Sequence, residues 1–158
     1  MDEVRDTFAG PGTSQRRRDI WTHWAQLTDV VRSVVGGVPV AWLSGSFLTD
    51  KTEPGDLDCL YIIESSRVVA AAAADPRNAS FLDLVVRNQV KSVLGLMVDS
   101  FVLEWVPTPG VGRPVGPARY LADRGYWDDL WSRERSTDDR EDSIPRRGYL
   151  EVVLDGYR

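Results

Sequence analysis

Two carboxylates, Asp56 and Asp58, stand two residues apart at the head of an apolar run, Leu57-Asp58-Cys59-Leu60-Tyr61-Ile62-Ile63. Side chains on a strand alternate between faces, so both point the same way. Neighbouring carboxylates repel unless a cation sits between them, and oxygen ligands in this arrangement suit Mg²⁺ or Mn²⁺. Ten residues before Asp56 comes Ser46, preceded by Gly45, at the point where an earlier apolar run, Val38–Leu43, must turn. Glycine lets a ligand approach the backbone closely, and amides beside a serine hydroxyl suit a phosphate. Lys51 lies in the same loop, as a neutralising cation or a plain surface lysine. Asp99, near the start of a later strand, is a third carboxylate, with Glu104 of opposite parity in reserve.

The elements that must position these groups follow from periodicity. Residues 1–13 hold Gly10-Pro11-Gly12 and few apolar side chains, which predicts a loose, flexible N-terminal arm. Ile20, Trp24, Leu27, Val31 and Val34 form one helical stripe over residues 14–35, with Ser14 or Thr13 as cap and Gly36-Gly37 as stop. Arg16, Arg17 and Arg18 fall in its first turn, the unfavourable end for cations, and read as a solvated face. His23 reads as a packing residue on the helix flank. Val38–Leu43 and Asp56–Ile63 are apolar on both faces and read as central strands. Helices are predicted over 65–74, ended by Pro76, and over about 79–94, then a third strand over 97–106. The run 107–117, with four prolines and three glycines, reads as loop. A helix over about 117–135, a charged loop over 136–145 and a last short strand over 148–154 complete the chain. Arg146 and Arg147, just before that strand, either reach phosphates or blunt a sheet edge.

The order of strand, Gly45-Ser46, polar loop, Asp56-x-Asp58 and strand, all within residues 38–64, resembles the polymerase-β-like nucleotidyltransferase superfamily, in particular its small single-domain members. The chain departs from that pattern at Thr49-Asp50-Lys51, where many minimal members carry a second glycine, often beside an arginine. The resemblance implies an α/β (α+β) fold with a mixed central sheet flanked by helices. It also implies a single domain over 14–158, with a catalytic core over about 14–106 and a C-terminal extension over 107–158. By position, Asp56, Asp58 and Asp99 would hold two Mg²⁺ or Mn²⁺ ions, and Gly45, Ser46 and Lys51 would engage a nucleoside triphosphate. The implied activity moves a nucleoside monophosphate onto an acceptor hydroxyl with release of pyrophosphate. Relatives act on small molecules, protein side chains or RNA 3′ ends, the last two in toxin–antitoxin pairs. No helical substrate-binding domain follows the core, so the acceptor must meet the 107–158 segment, a partner protein or a second subunit. The competing reading is a catalytically quiet member of the same fold, a binding or regulatory protein such as an antitoxin or a phage–host interaction factor. Trp21, Tyr126 and Trp127 would then supply a partner surface.

Composition bounds these readings. The chain has 158 residues, 42% hydrophobic and 27% charged, ordinary values for one globular domain. A net charge of −5 argues against a broad nucleic-acid surface. The single cysteine, Cys59, leaves no internal disulfide and reads as a buried small hydrophobe. No apolar run approaches membrane-spanning length, and the acidic start, Met-Asp-Glu-Val-Arg-Asp, has no leader-like apolar core. The expected location is the cytoplasm.

Overall fold

The computed structural model describes residues 1–107, 119–134, 138–142, 144 and 147–157. Four strands form one mixed sheet: β1 (Val40–Ser44), β2 (Leu57–Glu64), β3 (Val98–Trp105) and β4 (Leu150–Val153), in the order β3-β2-β1-β4. β1 runs antiparallel to both β2 and β4, while β2 and β3 are parallel. The parallel pair needs a crossover, supplied by α3 (Ser65–Ala74), α4 (Pro76–Val86) and α5 (Val90–Leu94). This is the mixed α/β architecture expected from the sequence. The fourth strand docks on β1, with Leu43 opposite Leu150 and Val40 opposite Val153.

Alternation along the strands divides the core in two. Ala41, Leu43, Leu57, Cys59, Tyr61 and Ile63 face α2 (Gln15–Val35), which buries Ile20, Trp24, Leu27 and Val31 against them. Val40, Trp42, Leu60, Ile62 and Leu103 face the other way, against Tyr120 and Trp131 of α6 (Arg119–Trp131). With helices on both faces, β1 is buried along its whole length, as its unbroken apolar run predicted. Cys59 is buried and receives the Trp24 indole N–H at 3.2 Å; burial pushes its thiol up to about 12, which removes it as a nucleophile.

Several elements differ from expectation. The N-terminal segment is ordered into α1 (Asp2–Ala9). Val4 and Phe8 lie one helical turn apart and pack on the core, with Phe8 and Phe47 rings 6.2 Å apart. Two acidic residues in the first turn complement the helix dipole. Pro76 does not merely end a helix: Asp75 caps the next one, accepting from the Arg77 amide at 2.8 Å, and Pro76 occupies its first position. The single helix expected over 79–94 is two, broken where Asn88 adopts φ 53°. Asparagine tolerates that conformation, and its side chain accepts from the Ser100 amide at 2.9 Å, stitching the break to β3. Asp139–Asp142 form a one-turn helix, α7, inside the charged segment read as loop. The proline-rich stretch lies largely outside the described residues. Among the described residues no helix is long and apolar enough to cross a membrane.

Candidate functional site

Of the three arginines at the start of α2, Arg16 is exposed and Arg18 half-buried, but Arg17 is not part of a solvated face. Arg17 is only 6% exposed, and its guanidinium donates to the main-chain carbonyls of Phe8 (3.1 Å), Phe47 (2.8 Å), Thr49 (2.5 Å) and Lys51 (2.7 and 3.2 Å). Arg16 donates to the carbonyls of Pro54 and Gly55, and Ser14, the α2 cap, donates to that of Thr52. The 45–55 loop carries few hydrogen bonds of its own, so these donors satisfy its carbonyls, of which that of Phe47 is buried and would otherwise lack a partner. The unfavourable placement of cations at a helix start is offset by this network. Its consequence is a fixed path from Gly45 to the aspartates.

That path ends at one edge of the sheet. Ser44 at the end of β1 is in register with Asp58 of β2, and Asp58 with Asp99 of β3. Asp58 and Asp99 therefore lie side by side on adjacent parallel strands, on the α6 face of the sheet. Gly45 has φ 85° and ψ −170°, a region essentially reserved for glycine. A Cβ built there would meet an Asp58 carboxylate oxygen at 1.9 Å, so that carboxylate fills the space a side chain would need. Ser46 then opens a single 3₁₀ turn, Ser46–Leu48, whose Phe47 is fully buried beneath the site.

A cleft of about 490 Å³ lies over these groups. Gly45, Ser46, Thr49, Asp56, Asp58 and Asp99 line it together with Glu134 and Arg147. Five of the six residues expected from the sequence, Gly45, Ser46, Asp56, Asp58 and Asp99, thus meet in one place. Lys51 is not among the lining residues; it contributes its carbonyl to Arg17. Glu104, the reserve carboxylate, sits at the opposite end of β3 and accepts from Ser65 Oγ at 2.5 Å. His23 lies outside the cleft and accepts the Met97 amide through Nδ1 at 3.1 Å, a packing role as expected.

Arg147 is the cation that lines the cleft. Lys91, itself outside the lining, reaches its edge through Asp56, and no sequence signal had singled it out. The break at Asn88 starts α5 afresh and brings the Lys91 ammonium into an ion pair with Asp56. That hydrogen bond, followed by the charges of Asp99 and Asp58, holds the Lys91 pKa above its ordinary value. Asp99 is raised, first by desolvation and then by the Asp56 charge, with Lys91 acting the other way. Keeping Asp99 ionised therefore costs the folded chain, and added positive charge in the cleft relieves that cost. The donors are of the type hard cations take. Among the described residues, however, no three His, Cys, Asp or Glu side chains are drawn together as a metal cluster, and Asp56 is paired with Lys91.

A second cavity of about 480 Å³ adjoins the first and shares Asp58, Asp99 and Arg147 with it. Its remaining wall is the aromatic face of α6 with Phe101 of β3. Of the three aromatics expected at a partner surface, Trp21 is buried against Trp24, Trp127 is half-buried on this wall, and Tyr126 is 60% exposed at its rim.

The fold and the cleft together define an α/β protein with a carboxylate site at the strand ends, next to a glycine-dependent turn. The chain belongs to DUF6932, a family of unknown function, whose description matches residues 1–153. No curated protein and no solved structure matches it.

Proposed function

We propose that this chain is a metal-dependent nucleotidyltransferase that moves a nucleoside monophosphate from a nucleoside triphosphate to an acceptor hydroxyl, releasing pyrophosphate. The observation that carries the reading is the register of Asp58 with Asp99 directly under Gly45, whose missing side chain leaves room for the Asp58 carboxylate. Asp56, at the same edge, supplies a third carboxylate to the cleft. A divalent cation held by these carboxylates would neutralise phosphate charge and lower the pKa of an attacking hydroxyl.

The chain's own groups divide the remaining work. The Gly45-Ser46 turn offers a hydroxyl and a closely approachable backbone for the terminal phosphates. Arg147 on the cleft wall, and Lys91 paired to Asp56 at its edge, supply positive charge for the triphosphate and for the departing pyrophosphate. Asp99, with its raised pKa, accepts the acceptor's hydroxyl proton. The acceptor oxygen forms a bond to the α-phosphorus as the bond from that phosphorus to the oxygen bridging the β-phosphate breaks, and the electron pair leaves with pyrophosphate. Cytoplasmic location and an acceptor among small molecules, proteins or RNA ends belong to the same proposal.

The test is transfer of label from an α-labelled triphosphate in Mg²⁺ or Mn²⁺ by wild type and by Asp58→Asn. A fall of roughly 10³-fold or more is expected, the scale on which removing a charge-stabilising group acts. Transfer that survives in Asp58→Asn Asp99→Asn would overturn the mechanism.

One observation favours a second reading. The Lys91–Asp56 pair neutralises one of the cleft's carboxylates from within the chain, as a catalytically quiet binding or regulatory protein, a homodimer or a partner-bound factor would have it. Thermal melts separate the two. A rise in Tm requiring both Mg²⁺ and one nucleotide supports the transferase. No rise in any combination, with a stable protein complex formed, supports the quiet member.

A further inference from the structure

We infer that the aromatic cavity beside the carboxylates is a nucleobase subsite, in which the base of the bound nucleotide stacks on α6. The phosphate half of this inference rests on the transferase reading; the stacking half rests on the cavity itself.

The first observation is continuity. The two cavities share Asp58, Asp99 and Arg147, so a group in one is within covalent reach of a group in the other. Each is within the roughly 300–1,000 Å³ range of small-molecule pockets. A ligand with phosphates over Gly45-Ser46 passes its sugar across Asp58 and Asp99 and delivers its base to the far side.

The second observation is the chemistry of the far wall. Phe101 and Trp127 stand 4.7 Å apart between ring centroids, Trp127 and Trp131 5.5 Å, and Tyr126 and Trp127 5.5 Å. The half-buried Trp127 sits at the centre of this array, and Tyr126 lies largely exposed beside it. Every base has a π-face, so such a platform holds planar heterocycles. An extended aliphatic or peptide ligand would gain no comparable geometry from it.

The third observation is an orphan donor. Arg133 lines the cavity, and its Nε–H is buried with no hydrogen-bond partner among the described residues. Its terminal nitrogen is engaged by Asp129. Buried unpaired donors are rare and costly, and a ring nitrogen or carbonyl of a base is an acceptor of the required kind. Among the described residues the Arg147 guanidinium donates at 3.3 Å to the Trp131 carbonyl and at 3.4 Å to Ser44 Oγ, long contacts that leave its charge available to a ribose-linked phosphate.

The experiment is a tryptophan-fluorescence and calorimetric titration of the full chain with the four nucleoside triphosphates, the free nucleosides and inorganic tripolyphosphate, each with Mg²⁺. Wild type is expected to bind at least one nucleoside triphosphate more tightly than tripolyphosphate, with quenching that tripolyphosphate does not produce. Trp127→Leu is expected to weaken that triphosphate by roughly 5- to 150-fold, the range of one lost base stack, and to leave tripolyphosphate unchanged. Tyr126→Ala, at an exposed position, gives a smaller loss in the same direction and decides the matter if Trp127→Leu does not fold. Equal binding of nucleotides and tripolyphosphate by wild type overturns the subsite, as does unaltered nucleotide binding in a folded Trp127→Leu. Failure of the transferase reading looks different: nucleosides still bind and still depend on Trp127, while tripolyphosphate does not bind and no label is transferred. Failure of the subsite alone leaves transfer intact in both variants.

Discussion

The two faces of the sheet are made from the same strands and do different things. On the α2 face, Leu57, Cys59, Tyr61 and Ile63 meet a 21-residue helix and the core is dry and continuous. Even its polar groups pair inside, as Thr28 and Tyr61 do through their hydroxyls at 2.8 Å. On the α6 face, the same strand presents Asp58, Leu60 and Ile62, and only the latter two are covered. The shorter helix α6 leaves the strand ends open, and both cavities next to the carboxylates lie there. One face supplies stability and the other holds groups that repel each other until a ligand arrives. The contrast teaches that the parity of a single residue in β2 decides whether it is core or site.

The largest effect that can break this comparison is in the dry core. Trp24→Ala, at a fully buried position, is expected to cost about 3–5 kcal/mol, whereas Trp127→Ala beside the open cavity costs about 1–2 kcal/mol. Urea titrations of both read the difference; equal losses would mean the α6 face is as tightly packed as the other. Next comes the link between the faces. Arg17→Met removes donors to four carbonyls, one of them buried and three part-buried, with an expected loss of about 3 kcal/mol. Hydrogen exchange in that variant should rise through residues 45–55 before it rises in β1.

Gly45→Ala acts on the open face. Its backbone conformation alone costs about 1–3 kcal/mol for a side chain, and the new Cβ displaces the Asp58 carboxylate. The expected signature is a loss of Mg²⁺- and nucleotide-dependent stabilisation larger than the loss of intrinsic stability, read by melts with and without ligand.

The smallest effect lies at the opposite sheet end, far from the cleft. Asp155 accepts from Arg32 Nε at 3.0 Å and from the Val38 amide at 2.8 Å, and the Arg32 hydrogen bond holds its pKa below the usual carboxylate value. A depressed carboxylate contributes stability that is present above its unfolded pKa of about 3.9 and lost as pH falls through the folded one. Because Arg32 is partly solvated, Asp155→Asn should cost only about 1 kcal/mol at pH 7. The gap between variant and wild type should close as the pH drops below about 4. A gap that stays constant to pH 2 would assign the loss to shape rather than charge.

Much of this was legible along the chain because it is local. The alternation Asp56-Leu57-Asp58-Cys59 announces a strand with two faces, and the Gly45-Ser46 turn and Gly36 cap need only neighbouring residues. Asp99 could be matched only by position, and its register with Asp58 depends on a parallel pairing forty residues apart. The burial of Arg17 has no local signal, because a cation at a helix start has no local reason to be buried; three of its four partner carbonyls lie thirty or more residues away. Lys51 was chosen for nearness in sequence, and Lys91 arrives instead because Asn88 breaks a helix that the apolar pattern alone would run through. The N-terminal helix was missed for a related reason: Val4 and Phe8 are too few to register as a stripe until a core exists to receive them.

The sequence by itself determined the parity of the strands and the turn before them, since both are set by dihedral preferences and burial of adjacent residues. Tertiary structure alone decided which charges meet. Ion pairs and carbonyl cradles depend on distance in space, and only the folded sheet, with α2 clamped on one side and α6 stopping short on the other, brings Arg147 and the three aspartates to one cleft with Lys91 paired at its edge.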